Sequence, residues 1–590
     1  MLDKMSKNRL LIYKIIEILL LSTLIIIISI SFVSKKENLD YDEMSTYGLA
    51  NNSFLLNVDE NVEMTGEEAL LKYASVQEGN EFNIKNVFDN QTKDTHPPIY
   101  YIIVNFICSI NSGKFSIWYG LSINIFFIII LIFQMRYLIN LIINDRLSAT
   151  LISIISFFTY GFVNMFVFTR MYVMAGVISM SFIILIVNEM RLHTKNSTCV
   201  TGASDNVSNS INKDAFDKKQ IIFLILFFLN CYIGTLTHYH FMIVALIYSI
   251  IYGIYLLRNK CIKKLIATAL TGILSLLCAY LTFPIILHHL FGKTKMHSVL
   301  SEKDDSKIDV FLGLLKTIKK SFFGNGIYIY IVFLVIGILC LVFAMLKNIK
   351  SSIDVNNLEY LKNKNQIKKQ NNIKNSICDR ATDSRYSLNK IYFIILISVV
   401  IFYVIIALTL KKPYDRYLYI VYPLIIIAII IPIYKLYSLI NQYLKYISIV
   451  LLLVVTIMSR LNEKPFSLNP GDAAFHSYLN ENSNVKVLSI YNSVDNATKT
   501  LTRDATLYKA HRPLYILRDM ESITFIDKAK NPNFNLVNEE KFKNADRMFL
   551  IIYPVDDDDG IISKVMIKYN FASVEKVYIS NYFHMYILRK

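Results

Sequence analysis

Two adjacent carboxylates, Asp42 and Glu43, stand just beyond the first long apolar run of the chain, in the stretch Leu39-Asp40-Tyr41-Asp42-Glu43-Met44-Ser45. Carboxylates at the edge of an apolar segment are costly unless they are solvated, paired or used. A positioned carboxylate is suited to general-base chemistry on a hydroxyl, and Asp42 is the candidate base. Glu43, one residue on, projects elsewhere in either a helix or a strand. It completes the candidate catalytic pair by orienting an acceptor, the loop or a metal. The alternative is that the pair caps a juxtamembrane helix, where acidic groups meet the positive end of the helix dipole.

The other residues able to do chemistry lie at the edges of apolar runs. Asp94-Thr95-His96-Pro97-Pro98-Ile99-Tyr100-Tyr101 offers Asp94 and His96 for the same cavity, His96 to touch substrate, to hold Asp42 or to bond loop backbone. Thr169-Arg170-Met171-Tyr172 offers Arg170, which either pairs with a site acid or snorkels to the interface, with Tyr172 beside it. His238, Tyr239 and His240 fall where two runs meet. Asp415-Arg416-Tyr417 offers Arg416, whose planar donor fork suits a phosphate, flanked by Tyr414 and Tyr417, with Lys411 and Lys412 adding positive field. Asp94, His96, Arg170, Tyr172, His238, Tyr239, Arg416 and Tyr417 form the candidate substrate-binding set. No metal ligand set is evident: cysteine and histidine spacing does not suggest zinc. No cofactor is called, and a divalent cation at the carboxylates stays open.

The elements that must position these groups are membrane spans. The chain has 590 residues, 54% of them hydrophobic, and only 11 prolines. Its mean hydropathy is +0.41. With many separate apolar runs near the length of a span, this composition excludes a soluble globule. Leu10 to Val33 is too long for a signal peptide and lacks a small-residue cleavage site, so it reads as a retained span. Further spans are expected at 116–139, 147–165, 170–189, 220–237, 239–257, 264–290, 326–346, 391–410, 417–436 and 444–459, about eleven in all.

The net charge of +17 is a topology signal, because Lys and Arg cluster in short loops. With Lys4, Lys7 and Arg9 inside, residues 34–98 lie outside, and they carry thirteen acids against five lysines. The loop 347–390, with ten basic residues against four acids, falls inside. An outward loop, 291–325, breaks the rule with seven lysines. There Ile308, Phe311, Leu312, Leu315, Ile318 and Phe322 recur at helical spacing, which predicts an amphipathic helix lying on the membrane. The seven cysteines imply no disulfide framework.

From about residue 461 the texture changes. A short helix near Asp472 to Leu479 and β-like runs at Val485 to Ile490, Met548 to Tyr553 and Val574 to Leu588 predict a small extracytoplasmic α/β domain over 461–590. Residues 1–460 would form the transmembrane catalytic domain, with 34–98 as its first outer loop containing juxtamembrane helices. The acidic run Asp556-Asp557-Asp558-Asp559-Gly560 reads as solvated, with cation binding as the alternative.

Taken in order, Asp42-Glu43, His96-Pro97-Pro98-Ile99-Tyr100-Tyr101, Thr169-Arg170-Met171-Tyr172, Thr237-His238-Tyr239 and Asp415-Arg416-Tyr417 with Pro423 inside the following span resemble the family 39-like glycosyltransferases. These belong to the GT-C superfamily with the protein O-mannosyltransferases and aminoarabinose transferases. The resemblance covers residues 10 to about 440, and the tail resembles no known module. It implies a GT-C-like membrane enzyme that moves a sugar from a polyprenyl-phosphate donor to an acceptor at the outer face of the membrane, with inversion at the anomeric carbon. Asp42 takes the base role there.

The residues agree with that implication. No P-loop and no GxGxxG after a strand is present to cradle a nucleotide, and a glycosyl phosphate leaves without the protonation a glycosidase must supply. The expected partners are the lipid-linked donor, membrane lipid and an acceptor that is protein, lipid or cell-wall polymer, and no nucleic acid. The expected location is the plasma membrane, with heavy use of Ile, Asn, Lys and Tyr suggesting a bacterial source. Two other readings stand beside it: a transporter or flippase of lipid-linked sugars, and a non-catalytic cell-envelope scaffold. A transporter places ionisable residues near the midplane, often in repeated halves. Here they sit at span ends and no repeat is visible.

Overall fold

The computed structural model describes residues 2–52, 59–200, 218–291, 306–323, 331–339, 342, 390–410, 412–462, 472–491, 514–528, 530–553, 558–579 and 583–590. The chain is a multi-pass helical membrane protein with a small C-terminal sheet. Eight helices among the described residues are long and apolar enough to cross a membrane: Ile15–Val33, Ile117–Ile143, Tyr172–Leu192, Lys218–Thr235, His240–Arg258, Ile262–Thr282, Lys390–Thr409 and Asp415–Ile440. The pair Arg146–Phe157 and Tyr160–Val167, bent by 65°, makes a ninth if it is one span. Of the remaining expected spans, Leu444–Ser459 is a shorter apolar helix. The run at 326–346 lies partly outside the described residues, and the loop 347–390 almost wholly so.

Helix α1 (Leu2–Val33) is apolar through most of its length and carries Glu17, which pairs with Arg136 and Arg146. These partners allow a carboxylate to sit on an otherwise lipid-facing helix. Beyond it the first loop forms a compact helical layer. It comprises α2 (Tyr41–Asn51), α3 (Gly66–Ala74) and α4 (Ile84–Lys93). After Pro97 and Pro98 the chain turns into α5 (Ile99–Ser109), and α6 (Ile117–Ile143) follows as a full span. Both α2 and α3 open with capping boxes, Asp40 with Glu43 and Thr65 with Glu68, each satisfying backbone N–H groups that a helix start leaves unbonded.

The tail supplies five strands of a six-stranded sheet in the order β1-β3-β2-β4-β6-β5. The strands of the sheet are β1 (Glu63–Met64), β2 (Lys486–Tyr491), β3 (Ile523–Asp527), β4 (Arg547–Ile552), β5 (Ser573–Ile579) and β6 (His584–Arg589). The central three, β3, β2 and β4, are parallel, and β6 and β5 continue antiparallel. The edge strand β1 belongs to the first loop and pairs antiparallel with β3, Glu63 opposite Thr524 and Met64 opposite Ile523. Alternation along the strands divides their side chains between two cores. Val487, Phe525, Phe549, Ile551 and Met585 pack with Met44, Tyr47, Leu70 and Tyr73 of the first loop. Leu488, Ile490, Leu550 and Ile552 pack with Ile561, Val565 and Tyr569 of the helix Asp558–Tyr569.

The helix expected on the membrane is Lys307–Phe323. Ile308, Phe311, Leu312 and Leu315 are exposed on it as expected. It is not simply laid on a surface, however, because Val310 and Leu314 are fully buried in the main core and Gly313 lies against the Pro413 ring. Of the acidic run near the C terminus, Asp556 and Asp557 lie outside the described residues. Asp558 accepts hydrogen bonds from His584 Nδ1 at 2.5 Å and Tyr586 Oη at 2.9 Å.

Candidate active site

Asp42 is the second residue of α2, presented by the Asp40 cap, whose side chain accepts from the Asp42 N–H at 3.0 Å. Its carboxylate is ion-paired with the Arg416 guanidinium and stands 3.9 Å from Arg170 Nη2. Arg170 follows the broken pair of helices and is 2% exposed. Nη1 donates to Tyr101 Oη at 2.9 Å, to Thr46 Oγ1 at 3.1 Å and to the Asp42 carbonyl at 3.3 Å. Nη2 meets His96 Nε2 at 3.3 Å, and His96 Nδ1 meets Asp94 Oδ2 at 2.8 Å. Three carboxylate-bearing or cationic segments far apart in sequence thus converge on α2. Such a set of charges is stable out of water only when each has a partner, as here.

The electrostatics follow from that arrangement. Burial pushes the Asp42 carboxyl up, but Arg416, Arg170 and His96 outweigh it and hold it below the ordinary aspartate value. Burial likewise raises Asp94, and His96 and Arg170 bring it down below its usual value. The two acids are therefore charged at neutral pH, and the cluster is a network of fixed charges.

Glu43 occupies a different place. It is fully buried, with Oε1 accepting the Thr169 N–H at 2.7 Å, Oε2 accepting the Asp40 N–H at 2.8 Å, and Lys36 Nζ 3.0 Å from Oε2. Burial raises its carboxyl above the usual value, against the opposing pull of Lys36 and the two N–H groups. Both oxygens are engaged in fixing the start of α2 to the Thr169-Arg170 turn. Of the roles open to Glu43 in the sequence, this geometry supports orienting the loop, together with the helix cap.

Around Arg416 the site is aromatic. Its guanidinium lies 4.9 Å from the centre of the Tyr414 ring and 5.8 Å from that of Tyr417, which suits a cation that must also be desolvated. His240 meets Tyr417 edge-on at 5.5 Å and His238 at 4.8 Å, while Tyr172 lies 5.4 Å from His238 and 5.5 Å from Tyr419. Burial first, and then the neighbouring His240, His96 and Arg170, hold His238 well below the ordinary histidine value, so its ring is neutral. Tyr172, His238, Arg416 and Tyr417 therefore share one wall with Asp42.

Tyr239 does not join them. Its hydroxyl bonds His289 Nδ1 at 2.8 Å, and its ring packs with Leu236, Phe283 and Ile286 in a separate small core. Aromatic residues favour the ends of spans whether or not they touch a ligand, which is why sequence did not separate Tyr239 from its neighbours. Conversely, Tyr101, Thr46 and Lys36 are in the network and were not singled out. Thr46 carries a readable signal, being four residues after Asp42 on one helix face. Lys36 has none.

Among the described residues no group of three or more His, Cys, Asp or Glu side chains stands close enough to hold a metal ion. No protein-family model matches the sequence, and no curated protein matches it. Two solved structures are similar over almost the whole chain. One is ArnT from Cupriavidus metallidurans bound to undecaprenyl phosphate, with a TM-score of 0.44 and 9% identity over 96% of this chain and 97% of that one. The other is the same protein in the apo state, with a TM-score of 0.43, 9% identity and the same coverage. A likeness so distant carries no functional argument.

Proposed function

We propose that the protein is an inverting GT-C-type glycosyltransferase that moves a sugar from a polyprenyl-phosphate carrier to an acceptor hydroxyl at the outer face of the plasma membrane. The observation that carries this reading is the Asp42 carboxylate held against two guanidiniums, Arg416 and Arg170, beside a membrane span. A carboxylate is the base such a transfer needs, and a pair of guanidiniums is the matching clamp for a glycosyl phosphate.

In the reaction Asp42 takes the proton of the acceptor hydroxyl as its oxygen bonds the anomeric carbon. The bond from that carbon to the phosphate oxygen breaks on the opposite face, and the electron pair leaves with the phosphate. Arg416 and Arg170 stabilise the charge gathering there. The wall of Tyr172, His238 and Tyr417 offers the apolar and hydrogen-bonding surface a pyranose ring takes. Glu43, Asp94 and His96 hold the parts in place. In this reading the transmembrane part is the catalytic domain and the C-terminal sheet its outer appendage.

Arg170 and Asp42 lie between spans and Arg416 at the start of one, away from the midplane position expected of transported ions. This weighs toward transfer rather than flipping. The test is to incubate purified protein with a panel of polyprenyl-phosphate sugars and acceptors and to measure released carrier phosphate. Release dependent on acceptor is the expected result. Translocation of intact donor across proteoliposomes without release would replace the enzyme with a flippase.

A further inference from the structure

The C-terminal sheet is built onto the same loop that carries Asp42, and its contacts end on α2. Strand β1 augments the edge of β3 through main-chain pairing. The Glu63 side chain accepts from Ser522 Oγ at 2.6 Å and from Asn538 Nδ2 at 3.2 Å, and pairs with Lys541 Nζ at 3.0 Å. Three residues on, the Gly66 N–H donates to the Met520 carbonyl at 2.8 Å. The fit there is close: a Cβ on Gly66 would stand 1.8 Å from the Leu517 carbonyl oxygen.

Gly66 opens α3, a rod about 13 Å long, whose far end is tied to α2. Asn51 Nδ2 donates to the Ala74 carbonyl at 2.6 Å, and Asn52 Nδ2 lies within 2.9 Å of the carbonyls of Lys72, Tyr73 and Ser75. Gly48 leaves room for the Tyr73 ring, which a Cβ would meet at 2.2 Å. A second route is aromatic. Tyr515 of the tail meets Phe115 at 6.3 Å, Phe115 meets Tyr47 of α2 at 4.9 Å, and the Tyr47 hydroxyl donates to the Ile117 carbonyl at 2.9 Å.

From these two routes we propose that the C-terminal sheet is a clamp that sets the position of α2 and thereby of Asp42, with Glu63 and Gly66 as positioning residues far from the reacting atoms. Only the catalytic consequence rests on the function proposed above; the mechanical one does not.

The experiment is hydrogen exchange on the full-length protein in nanodiscs, read by peptides covering 41–51, 523–527 and the spans, with donor kcat and KM on the same samples. In Gly66→Ala the amides of 41–51 are expected to exchange about tenfold faster or more while the spans stay unchanged. Glu63→Ala is expected to move them the same way by less, and serves if Gly66→Ala does not fold. Glu63→Gln, which keeps an acceptor for Ser522, is expected to restore most of the protection. For transfer, kcat is expected to fall with donor KM nearly unchanged, since Asp42 shifts and Arg416 does not. Faster exchange at 523–527 with 41–51 unchanged in both Gly66→Ala and Glu63→Ala would overturn the clamp. Wild-type protein inert toward every donor would instead count against the proposed reaction, and the exchange data would still decide the clamp.

Discussion

The Asp42 carboxylate is paired with the Arg416 guanidinium from 374 residues further along the chain. On the proposed reading these are the base and the phosphate clamp, so while they are paired each masks the other. A donor phosphate that draws Arg416 away also removes much of the positive charge that keeps Asp42 weakly basic. On that reading donor arrival would prepare the base before the acceptor is activated.

Asp42→Asn keeps the size of the side chain but cannot take a proton, and single-turnover transfer should fall by about 10²-fold or more. Donor binding should be retained or tightened, because Arg416 no longer leaves a carboxylate to meet the phosphate. Transfer near the wild-type rate by folded Asp42→Asn would remove Asp42 as the base.

Arg416→Lys preserves the charge and loses the two-pronged fork and its stacking on Tyr414. Donor affinity should drop by about tenfold or more. Titration of lipid-linked donor against both proteins measures this, and equal dissociation constants would take Arg416 out of the phosphate site.

The acid side of the pH profile follows from the same pair. As the proposed base Asp42 would act deprotonated, and its pKa lies below the usual aspartate value, so kcat/KM should stay level as pH falls until below that value. Arg416→Gln removes the strongest opposing charge and leaves burial, which raises the pKa. The acid limb of that variant should therefore move to higher pH. A limb that stays where it was would mean that another group titrates.

Glu43→Gln tests the structural role of the second carboxylate. The Lys36 and Glu43 side chains are 1% and 0% exposed, and breaking such a buried pair costs about 3–5 kcal/mol. The thermal midpoint of the purified protein should fall clearly, with residual transfer per folded molecule less reduced than in Asp42→Asn. An unchanged midpoint would show that the pair does not hold the start of α2.

Sidedness is open to labelling in a protein freed of its own cysteines. Cysteines at the exposed positions Glu78 and Glu521 should react together with a membrane-impermeant reagent from outside, and one at exposed Lys260 should not. Labelling of Glu78 and Lys260 from one side would overturn the expected topology.

Much of this arrangement was readable in the chain because the signals are local. The spans follow from apolar length. The helix from Asp472 appears where expected, and the alternating runs at 485–490 and 548–553 become β2 and β4. The single run expected over 574–588 is two strands, β5 and β6. Strand β1 escaped because two residues have no periodicity; it exists only because β3 offers an unpaired edge. The charge network was half legible. Arg170 and Arg416 stand out as cations at span ends. That Glu43 would be held by the Thr169 N–H depends on a contact across 126 residues, which spacing does not encode, and its pairing with Lys36, only seven residues back, depends on how the chain turns between them.

The pairing of β1 with β3 also sets a timetable. Glu63 meets Ser522 across 459 residues, and at about 5–20 residues per second synthesis separates them by roughly 20–90 s. Arg416 likewise leaves the ribosome long after Asp42. A nascent chain already anchored in the bilayer therefore carries its acidic loop for that interval without the strand or the cation that completes it.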